Sequence, residues 1–478
     1  MPVTVVWFRR DLRVADHPAL AEAAARGPVV CLWVVDPALL ARRHHRAPAR
    51  LRFLRAGLEA LDAELRGRGV PLVVRRGAPE EVVPAVAVEA GADRVHASAE
   101  VSPYGRARDE RVEAALARAG VALRRVEGDL MVPPDELPGP TEAGYLVFSP
   151  FARAWAAHEV PPHVPAPDRL TGPVLGGDDL NALPGGDPPL PAGPRAAREA
   201  LTAFIRSGAA DRYHERRDMV AEDATSRLSA YLRFGMCTDA QIARALGAPG
   251  SLGAGRRAFL RQITWREFYH HHLLRHPHVA RGPLRADRGS VRWDPDAGGR
   301  ALDAWRRGET GYPLVDAAMR QMGEVAWMHN RGRLVVASFL VKDLLLDWRR
   351  GETVFMQGLV DGDPANNNGG WQWVAGTGTD AAPFHRVLNP TLQARRFDPA
   401  GAYIRRYVPE LRQVPDAHIH EPWRMGDEEQ RAARCRIGRD YPAPVVDHAE
   451  RRREALARFA EAGDRRVSGG DRPGARAR

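Results

Sequence analysis

The run Val3-Thr4-Val5-Val6-Trp7-Phe8 decides how the first part of this chain is read. β-branched and aromatic side chains in an unbroken row predict a buried strand. The start lacks a charged region followed by a long apolar stretch, so it reads as a first strand and not as a secretion signal. Four more β-rich runs follow at Val29–Val35, Pro71–Val74, Arg94–Ala97 and Ala122–Val126. Amphipathic stretches separate them at Pro18–Arg26, Ala49–Arg66, Pro79–Ala90 and Arg106–Ala119. This alternation predicts an α/β domain with a doubly wound parallel sheet. Ligands of such sheets sit beyond the carboxyl ends of the strands. No Gly-x-Gly-x-x-Gly follows the first strand, so a nucleotide cofactor is expected elsewhere in the chain.

Beyond residue 130 the pattern changes. Residues 131–196 read as a connector, because Met131-Val132-Pro133-Pro134 and Gly185-Gly186-Asp187-Pro188-Pro189 cannot hold regular structure. One helix, Phe151–His158, is expected inside it. Residues 197–460 read as all-helical, and Leu334–Trp348, apolar nearly all round, as a buried helix. Residues 461–478, rich in Arg, Gly and Ser, are expected to be disordered. The 478 residues fit two or three domains. No run of 18 apolar residues predicts a membrane span. Three dispersed cysteines, Cys31, Cys237 and Cys435, indicate neither a disulfide framework nor a zinc site and fit a reducing cytoplasm. The net charge of +10 favours a polyanionic partner. Codon choice in a GC-rich genome explains it equally well, since Lys342 is the only lysine.

Three features of the helical part carry chemistry. In Thr225-Ser226-Arg227-Leu228-Ser229 the hydroxyls and the arginine suit either phosphate binding or an ordinary helix N-cap. The stretch Asp361-Gly362-Asp363-Pro364-Ala365-Asn366-Asn367-Asn368-Gly369-Gly370-Trp371-Gln372-Trp373 is too polar for a core helix. A surface loop would not need its two tryptophans, and a pocket wall fixing a polar aromatic ligand accounts for both. The third is tryptophan itself: nine of eleven lie from Trp155 onward. Most are expected to be core packing. Trp265-Arg266-Glu267-Phe268-Tyr269 and Trp327-Met328-His329-Asn330-Arg331 instead interleave aromatic and basic residues in a way that suits stacking on bases with phosphate contacts. Consecutive histidines, His270-His271-His272, point in different directions on a helix, so no metal site is expected.

Together with Trp7-Phe8-Arg9-Arg10-Asp11-Leu12-Arg13, these motifs fall in the order seen in the photolyase/cryptochrome family. The resemblance covers residues 2–460 and is nearest to class I cyclobutane pyrimidine dimer photolyases. It implies an N-terminal α/β antenna domain and a C-terminal all-helical domain holding FAD in a folded form. By position, Tyr213 and Thr225, Ser226, Arg227, Leu228 and Ser229 would line the FAD phosphates and ribose. Arg333 would pair with Asp361 beside the flavin ring, with Gly362 and Asp363 nearby. Asn367 would face flavin N5; asparagine there is the repair identity and helps stabilise the reduced flavin. The implied reaction is light-driven transfer of one electron from reduced flavin to a flipped-out dimer, followed by its return.

The same resemblance assigns DNA contacts to Arg217, Gln262, Trp265, Arg266, Tyr269, Asn330, Arg331, Trp373, Arg386 and Gln393, with Trp265 and Trp373 as the apolar wedge. It makes Trp371, Trp348 and Trp293 an electron relay, against the alternative that they only pack. Many dimer photolyases carry glutamate where Gln262 stands, so lesion preference rests partly on that residue. A second, antenna chromophore would lie near Arg9, Arg50 and Glu100. The segment Glu100–Arg106 points to a deazaflavin, with methenyltetrahydrofolate or an empty site as alternatives. The expected partner is double- or single-stranded DNA containing pyrimidine dimers, the expected state a cytoplasmic monomer. A cryptochrome photoreceptor without repair activity and a photolyase for the (6-4) lesion are the competing readings.

Overall fold

In the computed structural model, residues 2–42, 46–284, 291–380 and 386–469 are described, apart from the side chains of Pro249 and residues 463–469. The chain divides into two compact units. One comprises Met1–Arg217, Asp223–Pro277 and Phe355–Asn366; the other comprises Asp218–Glu222, His278–Val354 and Asn367–Arg478.

The first unit is built on a five-stranded sheet: β1 (Val3–Phe8), β2 (Val29–Val35), β3 (Leu72–Arg76), β4 (Ala92–Ser98) and β5 (Ala122–Val126). Their order is β3-β2-β1-β4-β5, and every pairing is parallel. The sheet is doubly wound, as its alternating sequence predicts, and the order reverses between β1 and β4. β2 is buried throughout and β1 nearly so, which is why both read as continuous apolar runs. Val5, Trp7, Val30, Leu32, Val73, Val95 and Leu116 form the centre of the core. The crossover helices Pro18–Arg26, Pro48–Arg66, Pro79–Glu89 and Pro103–Arg118 each carry a proline in the first turn, where no N–H partner is lost. The last of these starts three residues before the predicted Arg106, because Ser102 Oγ accepts from Gly105 N at 3.1 Å and caps it. The strands expected at Pro71–Val74 and Arg94–Ala97 are likewise Leu72–Arg76 and Ala92–Ser98.

Within the connector, the helix is Phe148–Trp155, shifted from Phe151–His158 because Phe148, Phe151 and Trp155 form its buried stripe. The connector is pinned to the long helix Ala254–Arg275 by one carboxylate. Glu267 accepts from Met131 N (2.5 Å), Val132 N (3.2 Å) and Trp155 Nε1 (2.6 Å).

The second unit is helical, with principal helices Pro313–Val325, Asn330–Ser338, Pro390–Phe397 and His448–Gly469. The continuous helix expected over Leu334–Trp348 is broken. The helix from Asn330 passes into a π turn at Phe339–Asp343, Leu345 turns left-handed (φ 54°), and a new helix begins at Trp348. The last helix crosses Glu461, where the sequence reading begins a disordered tail; residues 470–478 lie outside the described residues. No helix among the described residues is long and apolar enough to cross a membrane.

Candidate functional site

In the first unit, four side chains from distant parts of the sequence hold the loop Leu359–Asp363. Arg50 donates to the carbonyls of Met356 (2.8 Å) and Leu359 (2.9 Å). Arg233 Nε donates to the Gly362 carbonyl at 2.8 Å. Arg10 Nη2 reaches Asp363 Oδ2 at 2.8 Å, and His270 Nε2 lies 3.6 Å from Asp363 Oδ1. Asp363 also caps the helix Pro364–Ala375, accepting from Asn366 N at 3.0 Å. Burial alone would raise the Asp363 carboxyl, but His270, Arg10 and Arg233 hold it well below the usual carboxylate range. Burial lowers Arg50 to about 10 and Arg233 to about 9, so both stay cationic at neutral pH. Asp361, between these anchors, is buried.

Arg10 and Glu100 follow β1 and β4, the two strands at the point where the sheet order reverses. They lie 3.6 Å apart. Burial would push the Glu100 carboxyl up; Arg10, Arg108 and Arg9 reverse this and bring it to about 2. A carboxylate depressed in this way stabilises the fold above its ordinary pKa, and the contribution fades as pH falls toward about 2. Glu100→Gln is therefore expected to cost about 2 kcal/mol at pH 7, with the deficit shrinking on acidification below about pH 4, as read from urea unfolding at both pH values. The three residues expected near an antenna are occupied by protein. Arg9 pairs with Asp109 (2.9 Å) and donates to the Ser98 carbonyl, Glu100 accepts from Ser102 N (3.2 Å), and Arg50 serves the loop described above.

The segment Thr225–Ser229 is not a capped helix start. The helix Ser229–Arg233 begins without a side-chain cap, and Arg227 sits left-handed at φ 52°. The following residue, Leu228, is right-handed (φ −75°, ψ −10°). A left-handed residue followed by a right-handed one is a backbone geometry that can gather N–H groups around an anion; here Leu228 N donates to Ser226 Oγ at 3.4 Å. Thr225 and Ser226 are half-buried, Ser229 is exposed, and Arg227 pairs with Asp223 at 3.2 Å. Tyr213 packs edge-on against Phe259 at 5.2 Å, with the Arg217 guanidinium 5.9 Å from its ring.

On the helix Ala254–Arg275, Gln262, Trp265, Arg266 and Tyr269 follow the i, i+3, i+4, i+7 spacing of one face. All four are half-buried, whereas Ile263, Thr264, Glu267, Phe268 and His270 are buried. Trp265 stacks on Phe148 (3.7 Å, 4°). Arg266 is committed to an ion pair with buried Asp239, which leaves it less free for DNA than its position in the motif suggests. Glu267, which the sequence reading passed over, is fully buried; burial and then Asp239 raise its carboxyl well above normal. The one acid inside an aromatic run was the available signal. His271 Nε2 contacts the Val132 carbonyl (2.9 Å) while His270 faces Asp363, so neighbouring histidines do diverge. Among the described residues no group of three or more His, Cys, Asp or Glu is placed to hold a metal.

The polar stretch expected to wall a pocket is itself helical from Pro364, and the asparagines it gives to the second unit, Asn367 and Asn368, have separate tasks. Asn367 Nδ2 donates to the Glu352 carbonyl (3.0 Å), and Asn368 Nδ2 donates to Glu352 Oε1 (3.0 Å). Gln372 Nε2 donates to Asn368 Oδ1 (2.8 Å). Asn367 thereby keeps its Oδ1 free of protein donors among the described residues. Burial pushes the Glu352 carboxyl up to about 7.

Trp371 is buried, and its indole lies so close to Gly351 that a β-carbon there would sit 2.1 Å from the ring. Gly351 is one helical turn beyond Trp348, also buried, so the two indoles address the same helix face. Trp293 is half-buried, and its chain is tied to the start of that helix by Asp294 N→Leu345 O at 2.8 Å. Trp305, a residue the sequence reading missed, meets Trp371 edge-on at 6.2 Å. Gly351→Ala is expected to cost ~1–3 kcal/mol through overpacking, measurable as a lowered urea midpoint. Arg333 donates to the Met328 carbonyl (2.9 Å). Arg331 pairs with Asp218 (2.9 Å) and touches Gln393 (3.4 Å), while Asn330 and Arg386 are exposed and Trp373 is half-buried.

The model of the DNA photolyase family matches residues 4–168, and that of the FAD binding domain of DNA photolyase matches residues 259–461. The chain belongs to the DNA photolyase family. It is 43% identical to the deoxyribodipyrimidine photo-lyase of Streptomyces griseus, over 97% of this chain and 99% of the relative. A class III photolyase from Agrobacterium tumefaciens superposes with a TM-score of 0.90 at 36% identity, covering 97% of this chain and 98% of that one. An archaeal photolyase from Sulfolobus tokodaii, solved with two FAD molecules, gives 0.83 at 29% identity, covering 96% and 100%.

Proposed function

We propose that this chain is a deoxyribodipyrimidine photo-lyase, which uses light to split cyclobutane pyrimidine dimers in DNA. FAD, held in the helical part, supplies the electron when bound and reduced. Thr225–Ser229 and Tyr213 bind its phosphates and ribose, and Arg333, Asp361 and Asp363 flank its ring. Asn367 carries the assignment most directly. One N–H of its amide is given to the Glu352 carbonyl, which fixes the amide's orientation and leaves its Oδ1 able to accept. An acceptor suits a flavin N5 that bears a proton, the state in which the cofactor can give an electron.

The half-buried face of Gln262, Trp265, Arg266 and Tyr269 receives the flipped-out dimer, and Trp373 is the second wedge residue. Extrusion costs a few kcal/mol, less for a damaged base. The Gln262 amide donates to a thymine carbonyl. Arg217, Asn330, Arg331, Arg386 and Gln393 meet the DNA backbone. Trp371, Trp348 and Trp293 relay electrons to oxidised flavin. An antenna chromophore, when present, belongs to the α/β sheet near Arg9, Arg50 and Glu100. A deazaflavin is the reading carried by Glu100–Arg106; the second FAD of the Sulfolobus relative marks a flavin as the competing ligand. The boundaries 1–130, 131–196 and 197–460 assign antenna, connector and FAD/DNA roles.

The test is chromatography of irradiated DNA after incubation with the purified protein. Flavin bands near ~450 nm and loss of thymine dimers only under blue light are expected. A flavin-free protein, or equal dimer content in light and dark, would refute the assignment.

A further inference from the structure

Lys342 is the only lysine among the chain's 70 Lys and Arg residues. Every other cationic position has become arginine. Arginine stays charged under all accessible conditions, whereas a buried lysine can shed its proton. The Lys342 side chain is buried in the π turn Phe339–Asp343, and its Nζ lies 3.3 Å from the centre of the Phe459 ring. No hydrogen-bond acceptor meets that nitrogen among the described residues. Trp293 packs edge-on against the same phenyl ring, 6.0 Å between centroids. The sum of the two separations, about 9.3 Å, is the most that can lie between the ammonium and the Trp293 ring centre.

The other charges around this cluster are paired. From the last helix, Arg451 and Arg458 both bind Asp294 (2.6 and 2.7 Å), and both bind Glu454 as well. Arg458 also donates to the Arg292 carbonyl at 2.8 Å, which fixes the backbone on either side of Trp293. His448 pairs with Asp343 at 2.5 Å, beside Lys342 in the turn. Arg292 is exposed to solvent. Lys342 is the buried cation left without a counter-charge among these groups.

We infer that Lys342 sets how readily Trp293 gives up an electron, through the charge it places on the ring that Trp293 packs against. A cation there opposes the positive charge that forms on the indole; a neutral amine does not. Burial lowers the Lys342 ammonium to about 7, so the change of state falls near neutrality. With an external thiol in solution, one electron leaves Trp293, passes through Trp348 and Trp371 to the flavin, and is replaced from the thiol, which is oxidised. Photoreduction is then slower below neutral pH and faster above it. This inference rests on the relay reading given under Proposed function.

The experiment follows photoreduction of the oxidised holoenzyme in thiol at about pH 6 and about pH 8.5, on either side of the lysine's transition. Native protein is expected to photoreduce faster at the higher pH by on the order of three- to tenfold. Lys342→Met is expected to be fast at both, with flavin content and repair by pre-reduced enzyme unchanged; Lys342→Leu serves if the first variant loses flavin. Trp293→Phe is the control. If it is slow while Lys342→Met keeps the native pH profile, or while the native profile is flat, Lys342 does not tune the relay. If Trp293→Phe photoreduces like the native protein, the relay reading itself fails.

Discussion

Trp371→Phe is expected to slow photoreduction of the oxidised enzyme by about a hundredfold or more, because each 1.4 kcal/mol added to the barrier costs a factor of ten. A phenyl ring is a much poorer electron donor than an indole, so the first step inward is blocked at its source. The substitution is otherwise mild. Phenylalanine is smaller than tryptophan, so it fits over Gly351, where the native indole already leaves no room for a β-carbon. Trp305, edge-on to Trp371, keeps one wall of the site in place. Repair by enzyme reduced chemically beforehand is expected to remain at the native rate, because the relay serves only oxidised flavin. Photoreduction at the native rate would show that Trp371 is packing alone.

Asn367→Asp is expected to destabilise the reduced, anionic cofactor by roughly a thousandfold in equilibrium. Two like charges about 4 Å apart in an environment of effective dielectric ~20 repel by ~4 kcal/mol. The loss is compounded locally. An aspartate cannot donate to the Glu352 carbonyl, which now receives the asparagine amide at 3.0 Å. The Glu352 carboxyl nearby is already pushed to about 7 by burial, so a second acid is poorly tolerated. Redox titration followed at the flavin band checks this. An unchanged midpoint and unchanged repair would remove Asn367 from its assigned place.

Much of the fold was legible because its driving force is local. Valine-rich runs located Val3–Phe8 and Val29–Val35 at the limits observed, and the strand–helix alternation placed Ala122–Val126, which has a single β-branched residue. Leu334–Trp348 misled for a physical reason: a stretch apolar on every side has no periodicity, so nothing in it registers the π turn or the left-handed Leu345. The face formed by Gln262, Trp265, Arg266 and Tyr269 follows from helical spacing. The partners that constrain it do not, since Asp239 and Phe148 come from other elements. Arg50 shows the limit most clearly. It grips carbonyls about 300 residues later in the chain, and no local pattern announces such a contact.

The central claim is tested most directly with two oligonucleotides, one bearing a single cyclobutane dimer and the other a single (6-4) lesion. Each is mixed with pre-reduced enzyme, divided between blue light and darkness, and analysed for intact thymines. The account requires that the cyclobutane dimer be reversed in light alone and that the (6-4) lesion persist. Dimer persistence in light with reduced flavin bound, or reversal of the (6-4) lesion instead, would contradict it.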